Sequence, residues 1–504
     1  MNLNAQTMFD KIANTAASEP NKVAIVYDDT KIVYSDLFNR VNSLARTLIL
    51  RGIQKEDKIS VLTNNKVDFL IGITASMSIG AIPVPHNGIE NLKWIIADCE
   101  SKAIVCDFSF EKEIEILLEE DKKVILINFH SNYRTHSTFI RRPDILLQDI
   151  AMMFYTSGTT SRTRTGVLLS HNNLIVTAKY MNNSMKIQSD IVEYVIAPIN
   201  HAFGFGRCRA VIYAGGTLVL NEGVFNPAKT IMAIEKYDCN GLSSVSSGFA
   251  ILIEHYEKHF KTVGSRIKWV EIGSLPLSVY YKKRLLKILP VAKIYMNYGL
   301  TEAMRSTLIE MRSESHKIET VGRPSPGLEI NITNENGKSL KSGETGEISI
   351  RGDNVGKGYW KKRGLWHTRY RDGWFRTGDI GYLDRDGYLI FIGRKDDIIN
   401  IGGEKFSPFE VEEKLRPLLK GKSYCVSGAP DNNGILGEVP VLCVEQDFLF
   451  SIEDIKKYLN GIIEEYKIPR LLYHFERLPK TENGKIKHGE IRKQILEGKK
   501  YECF

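Results

Sequence analysis

The stretch Tyr155-Thr156-Ser157-Gly158-Thr159-Thr160-Ser161-Arg162-Thr163-Arg164 follows the apolar run Ile150-Ala151-Met152-Met153-Phe154 and precedes a helical pattern that starts near Asn172. The apolar run reads as a buried strand, so the hydroxyl-rich segment is a loop leaving a sheet. Backbone N–H groups and small hydroxyls in such a loop donate to phosphate oxygens, and two arginines stand beside them. No Gly-Lys-Ser/Thr closes a four-residue spacer after a glycine, so the segment is not a Walker loop. Taken alone, such a loop is more often a solvated turn.

On either side of this loop, strand and helix patterns alternate. Ser35 is placed as the N-cap of a helix with an apolar stripe at Leu37, Val41, Leu44, Ala45 and Leu48, and Gly52 falls where the C-terminal cap belongs. Ile59-Ser60-Val61-Leu62 reads as a strand, Val67 to Ile79 as a helix, and Ala81 to Pro85 as extended chain. Further strands are expected at Ile104-Val105, Val124 to Ile127, Glu193 to Ile196, Leu218 to Leu220, Trp269 to Ile272 and Ile294 to Met296. This order argues for an α/β fold of layered sheets with helical crossovers.

Beyond Val321 the pattern changes to short strands punctuated by glycine, including Gly346 to Ile350 and a hairpin around Asp384-Arg385-Asp386-Gly387. That texture suggests a small β subdomain completing the large unit. Ser407-Pro408 opens a helix, with proline in the first turn. Strands near Tyr424 to Ser427 and Val439 to Val444, with a helix near Glu453 to Glu464, make a compact α+β tail. The expected division is 1–394 and 395–504.

Composition narrows the class. A chain of 504 residues corresponds to about three domain-sized units. Its 43% hydrophobic and 25% charged residues are those of an ordinary globular protein, and no apolar run reaches the roughly 18 residues that span a bilayer. The first residues, Met1-Asn2-Leu3-Asn4-Ala5-Gln6-Thr7, lack the basic and apolar regions of a signal peptide. Seven cysteines without Cys-x-x-Cys spacing indicate neither zinc nor a disulfide framework, so a reduced, cytoplasmic enzyme is expected. The net charge of +8 suits either a solvated surface or attraction of polyanions, and no nucleic-acid module is visible.

Four more motifs follow the loop in order: Asn297-Tyr298-Gly299-Leu300-Thr301-Glu302, Trp374-Phe375-Arg376-Thr377-Gly378-Asp379, Gly393-Arg394-Lys395-Asp396-Asp397 with Gly402-Gly403, and Pro479-Lys480-Thr481-Glu482-Asn483-Gly484-Lys485. In these the chain resembles the adenylate-forming superfamily of acyl-CoA synthetases, peptide-synthetase adenylation domains and firefly luciferase, from about Met8 to Leu496.

The resemblance implies two half-reactions, in which a carboxylate attacks the α-phosphate of ATP and a thiol then displaces AMP. It assigns nucleotide contacts to Thr156, Ser157, Gly158, Thr159, Thr160, Arg164, Ser274, Asn297, Tyr298, Gly299, Asp379 and Arg394, with Tyr298 stacked on adenine and Asp379 accepting from the ribose hydroxyls. Glu302 is the expected Mg²⁺ ligand, a hard oxygen donor, and Thr301 hydrogen-bonds the α-phosphate. Lys485 is the expected catalytic ammonium, touching both the attacking carboxylate and the α-phosphate. Asp396 matches the hinge about which a mobile C-terminal domain rotates, and Gly402-Gly403 the approach of the thiol arm. Taken without the resemblance, Asp396 is a linker acid, Gly402-Gly403 a tight turn and Lys485 one exposed lysine among many.

His201, Phe203, Ser247, Gly248, Gly273 and Met304 are the expected acyl-pocket residues. Amino-acid-activating relatives place an Asp near His201, and this chain has none there, so an α-amino acid is disfavoured. Arg207, Arg209 and Arg305 are either structural cations or partners for a second anionic group on the acid. The phosphate loop departs from the usual Ser-Gly-Thr-Thr-Gly-x-Pro-Lys-Gly at Ser161, Thr163 and Arg164, with one inserted residue. The first expectation is an AMP-forming carboxylic acid–CoA ligase. The alternatives are a ligase loading the phosphopantetheine of a carrier protein in trans, a non-catalytic nucleotide-binding regulator, and luciferase-like oxidation.

Overall fold

The computed structural model describes residues 7–118, 123–129, 142–156, 164–221, 225–273, 277–431, 435–481 and 486–497. Its largest sheet has nine strands, in the order Arg323–Pro324, Ala303–Glu310, Lys293–Leu300, Trp269–Gly273, Gly241–Val245, Val192–Val195, Thr217–Leu220, Val23–Tyr27 and Thr30–Val33. The central members pair in parallel, which requires the intervening helices to cross over, and their strands are buried on both faces. A second sheet is wholly parallel, in the order Ile82–Pro85, Lys58–Leu62, Ser101–Cys106 and Ile125–Asn128. Helix Lys66–Ser78 carries only apolar and small residues along its middle and is buried nearly all round, as expected of a helix held between layers.

The β subdomain is confirmed as a five-stranded antiparallel sheet that includes Gly346–Arg351, Trp374–Leu383 and Leu389–Arg394. The chain is therefore mixed α/β, with a large N-terminal domain and a small α+β C-terminal domain. The two largest apolar cores run from Met8 to Leu389 and from Ile399 to Ile495, and two smaller clusters lie within residues 62–153. The second core surrounds the sheet of Tyr424–Pro430, Glu438–Glu445 and Leu471–Phe475. No described helix is long and apolar enough to cross a membrane.

Three local expectations need correction. Ser35 is not an N-cap: the helix spans Tyr34–Leu50 and Val33 precedes it without a side-chain cap. The start moves because Tyr34 is buried and its hydroxyl donates to the Gly216 carbonyl at 2.8 Å, so tertiary packing replaces the cap. The helix expected near Glu453 to Glu464 is Ile452–Leu459, capped by Ser451, and stops short of Glu464 because Asn460 leaves the helical conformation (φ −59°, ψ 127°) and Gly461 adopts φ +74°. The hydroxyl-rich loop is followed by a strand, Thr165–Ser170, before helix His171–Met185 begins.

Candidate active site

Thr156 and Thr165 are register partners at the open end of the antiparallel pair Ile150–Thr156 and Thr165–Ser170. The hydroxyl-rich segment thus leaves and re-enters one hairpin, and the Thr156 hydroxyl donates to the Thr165 carbonyl at 3.4 Å. Ser157, Gly158, Thr159 and Thr160 lie outside the described residues, as do Ser274 and Lys485. Lys362, which the sequence reading missed, holds the returning end: its ammonium donates to the Arg164 carbonyl at 3.1 Å and the Thr165 hydroxyl at 3.0 Å.

His86 is buried close enough to Arg164 to feel its charge, and its Nε2 has no hydrogen-bond partner among the described residues. Burial first, and Arg164 second, push its pKa down to about 3. The unfolded chain takes up a proton near pH 6.5 that the folded one refuses until about pH 3, so stability falls as pH falls through this window. Urea titrations of His86→Gln against wild type are expected to show a shallower acid loss in the variant. Parallel curves would show that His86 is not the group responsible.

The strand Lys293–Leu300 reverses at Thr301-Glu302 into Ala303–Glu310, with Leu300 opposite Ala303. Glu302 therefore sits on a tight strand turn, not at a helix start. Its side chain is largely buried, and the Tyr359 hydroxyl donates to Oε1 at 2.8 Å. Tyr298 is also buried, and its hydroxyl donates to Asp379 Oδ2 at 2.7 Å. Asp379 faces Arg394 across two antiparallel strands, where an ion pair of 2.9 Å links them. Burial, reinforced by Asp379, holds the Tyr298 phenol well above its ordinary pKa, so it remains a donor. Gly378 turns the chain just before Asp379 at φ +74°, a conformation that favours glycine. Tyr298, Asp379 and Arg394, drawn from three separate motifs, thus meet where the large sheet joins the β subdomain, with Asn297 and Glu302 on the same strand and turn as Tyr298.

On the acid side, Val245 and Gly273 are register partners on neighbouring parallel strands, so Ser247 and Gly248 at the start of helix Ser246–Val263 stand beside Gly273. A Cβ on Gly273 would lie 2.3 Å from the Phe203 ring, and one on Gly248 would lie 2.2 Å from Ser244 Oγ. Close packing therefore demands glycine at both positions. His201 precedes helix Ala202–Ala214, half-buried, and Met304 is buried next to Arg305.

Behind this surface lies an ionic network that sequence reading did not anticipate. Arg207 bridges Glu193, through Nε at 2.8 Å, and Glu271, through Nη1 at 2.8 Å. Glu271 Oε1 also accepts from Arg305 Nε at 3.0 Å and Asn297 Nδ2 at 2.6 Å. Arg305 donates further to the Phe203 carbonyl at 3.2 Å, and its guanidinium lies 5.4 Å from the Phe203 ring centre. Arg209 meets no carboxylate among the described residues: it donates to the Leu174 carbonyl at 2.6 Å, and burial, with Arg305 nearby, lowers its pKa to about 9. All three guanidinium groups are thus engaged inside the fold. Alternating polar residues at Glu193 and Glu271 in otherwise apolar strands were the available signal for this network.

In the C-terminal domain, Asp396 lies in an exposed single turn, Lys395–Asp397, whose carbonyl at Asp396 accepts from Arg492 at 3.2 Å. Gly402 and Gly403 join strands Ile399–Ile401 and Glu404–Phe406 with φ +59° and +100°. A two-residue hairpin with both φ values positive needs glycine, so the pair has a local reason to be there. Among the described residues no cluster of three or more His, Cys, Asp or Glu could hold a metal alone. Any ion at Glu302 would take its remaining oxygens from a ligand such as a polyphosphate.

Comparison with known proteins gives a match to the family model for AMP-binding enzymes over residues 12–360. The feruloyl-CoA synthase of an Amycolatopsis species is 28% identical over 488 residues, 95% of this chain and 97% of the relative. The oxalate–CoA ligase of Arabidopsis thaliana is 27% identical, covering 98% of this chain and 100% of its own. Among solved structures, ATP-bound MatB of Rhodopseudomonas palustris superposes with a TM-score of 0.87 at 25% identity, covering 97% of this chain and 99% of that one.

Proposed function

Since this chain belongs to the AMP-binding enzyme family, we propose that it is an AMP-forming ligase that joins a small or medium organic acid to the thiol of CoA. The carrying observation is the contact chain Tyr298–Asp379–Arg394, which joins residues of three separate motifs and starts on the strand that turns at Glu302. An acid oxygen attacks the α-phosphorus of ATP and pyrophosphate leaves; a thiol sulfur then attacks the acyl carbon of the adenylate and AMP leaves. The named CoA ligases among the relatives support this thiol as acceptor.

In this reading Asp379 accepts from the ribose hydroxyls, with Arg394 and Tyr298 holding its carboxylate in place. The residues at the turn suit Mg²⁺: Glu302 offers a hard carboxylate oxygen, and the ion when bound would neutralise charge on the phosphates. Thr301 and the segment 156–160 contact phosphate, and Lys485 brings carboxylate and α-phosphate together. Phe203, Gly273, Gly248 and His201 border the acid. The domain boundary is placed at 394/395, supported by the two separate cores. A reducing compartment, the cytoplasm, suits the six described cysteines, all free and buried.

The test is carboxylate-dependent ATP–pyrophosphate exchange across a panel of acids, followed by thioester analysis with CoA or a phosphopantetheine-bearing carrier protein. Exchange with at least one acid and acyl-CoA as product is expected. Acyl transfer to the carrier alone would replace CoA as the acceptor, and absence of exchange with every acid would defeat the reading.

A further inference from the structure

The short segment 355–360 ties the Glu302 turn to the hairpin that carries the hydroxyl-rich loop. On one side, Val355 forms a β-bridge with Ala303, and the Gly356 N–H donates to the Glu302 carbonyl at 2.8 Å. On the other, Gly358 and Tyr359 pair antiparallel with Leu168 and Val167, and the Trp360 N–H donates to the Gly166 carbonyl at 2.8 Å. Tyr359 is the point where both attachments reach the Glu302 side chain, through its hydroxyl at 2.8 Å from Oε1. Its ring is buried against Trp366 at 5.1 Å, and Trp366 in turn stacks on Phe375 at 5.3 Å. Glu302 Oε2 makes no hydrogen bond among the described residues.

We propose that Tyr359 is a positioning residue that holds Glu302 by one oxygen and presents the other to the divalent cation of a metal–nucleotide complex. A free glutamate side chain samples several rotamers, and ordering it at the moment of binding would weaken the bond to the ion. A phenol fixed by packing removes most of that freedom in advance and orients the carboxylate plane. Outer-sphere hydrogen bonds of this kind usually change metal affinity by about 10–100-fold. The inference rests on the functional reading only for the identity of the metal–nucleotide complex.

Tyr359→Phe removes the hydroxyl and keeps the ring, so its melting temperature is compared with wild type first. Mn²⁺ then serves as the probe, its binding to the protein–ATP complex followed by electron paramagnetic resonance. ATP binding in excess EDTA is measured by calorimetry. The expected result is a Mn²⁺ affinity about 10–100-fold weaker in Y359F, with unchanged affinity for metal-free ATP. Equal Mn²⁺ affinity, or equal loss of both affinities, overturns the assignment, the latter leaving Tyr359 a packing role only.

Where Y359F does not fold, infrared difference spectra of wild type against Glu302→Gln carry the test. A carboxylate stretch split as for one hydrogen-bonded oxygen before Mn²⁺ is added is expected, and a symmetric, solvated carboxylate overturns the proposal. Failure of the functional reading would look different: no acid-dependent pyrophosphate exchange in a wild type whose Mn²⁺ response is intact.

Discussion

Lys485→Ala is expected to slow acyl-adenylate formation by roughly 10²–10³-fold or more, while thioester formation from supplied acyl-adenylate continues. The attacking carboxylate and the α-phosphate are both anionic, so a single ammonium between them offsets their repulsion and holds them in line. Lys485 itself lies outside the described residues, but its surroundings are informative. Lys480 and Ile486 form a β-bridge, and the Lys487 N–H donates to the Pro479 carbonyl at 2.9 Å, so the described residues on either side of it are paired on the C-terminal domain. Only the adenylation step brings the two anions together, so only that half-reaction should suffer. Pyrophosphate exchange and single-turnover thiolysis of synthetic acyl-adenylate separate the two steps. Exchange at the wild-type rate removes Lys485 from the mechanism, and equal loss in both steps makes its role structural.

Arg207→Met is expected to destabilise the fold by about 3–5 kcal/mol, the usual cost of leaving buried charges without their partner. Arg207, Glu193 and Glu271 are each about 1% exposed or less, and the arginine stands between the two carboxylates. Without it, Glu193 loses its one cationic partner among the described residues, and Glu271 keeps Arg305. The effect should extend to the nucleotide side, because Glu271 also anchors Asn297 at 2.6 Å. Arg209→Met is the matched control: Arg209 neutralises no carboxylate among the described residues and its charge is disfavoured by burial, so its removal is expected to cost much less. Urea unfolding of both variants measures the difference. Equal losses would mean that helix packing, and not charge pairing, holds this region together.

The alternation of strands and helices was readable because the apolar runs are long and bounded by glycine, proline and capping residues. Val192–Val195, Trp269–Gly273 and Lys293–Leu300 lie close to where their patterns place them. Thr165–Ser170 was missed because Thr165-Gly166 looks like more loop, and its strand conformation depends on pairing with Ile150–Thr156. Ser35 was misread as a cap because a local hydroxyl signal competed with a tertiary bond from Tyr34 to Gly216, 182 residues away.

At the site, the motif residues were legible as types in order, and their roles came from the resemblance that this order carries. Which groups hold them was not legible. Tyr359 stands 57 residues from Glu302, Asp379 81 residues from Tyr298, and Arg305 34 residues from Glu271. For long apolar segments local pattern determines strand or helix, since that choice rests mainly on neighbours within a few residues; Thr165–Ser170 is the exception that pairing decides. Partnership between distant side chains depends on sheet order and crossover path, which only the folded chain decides.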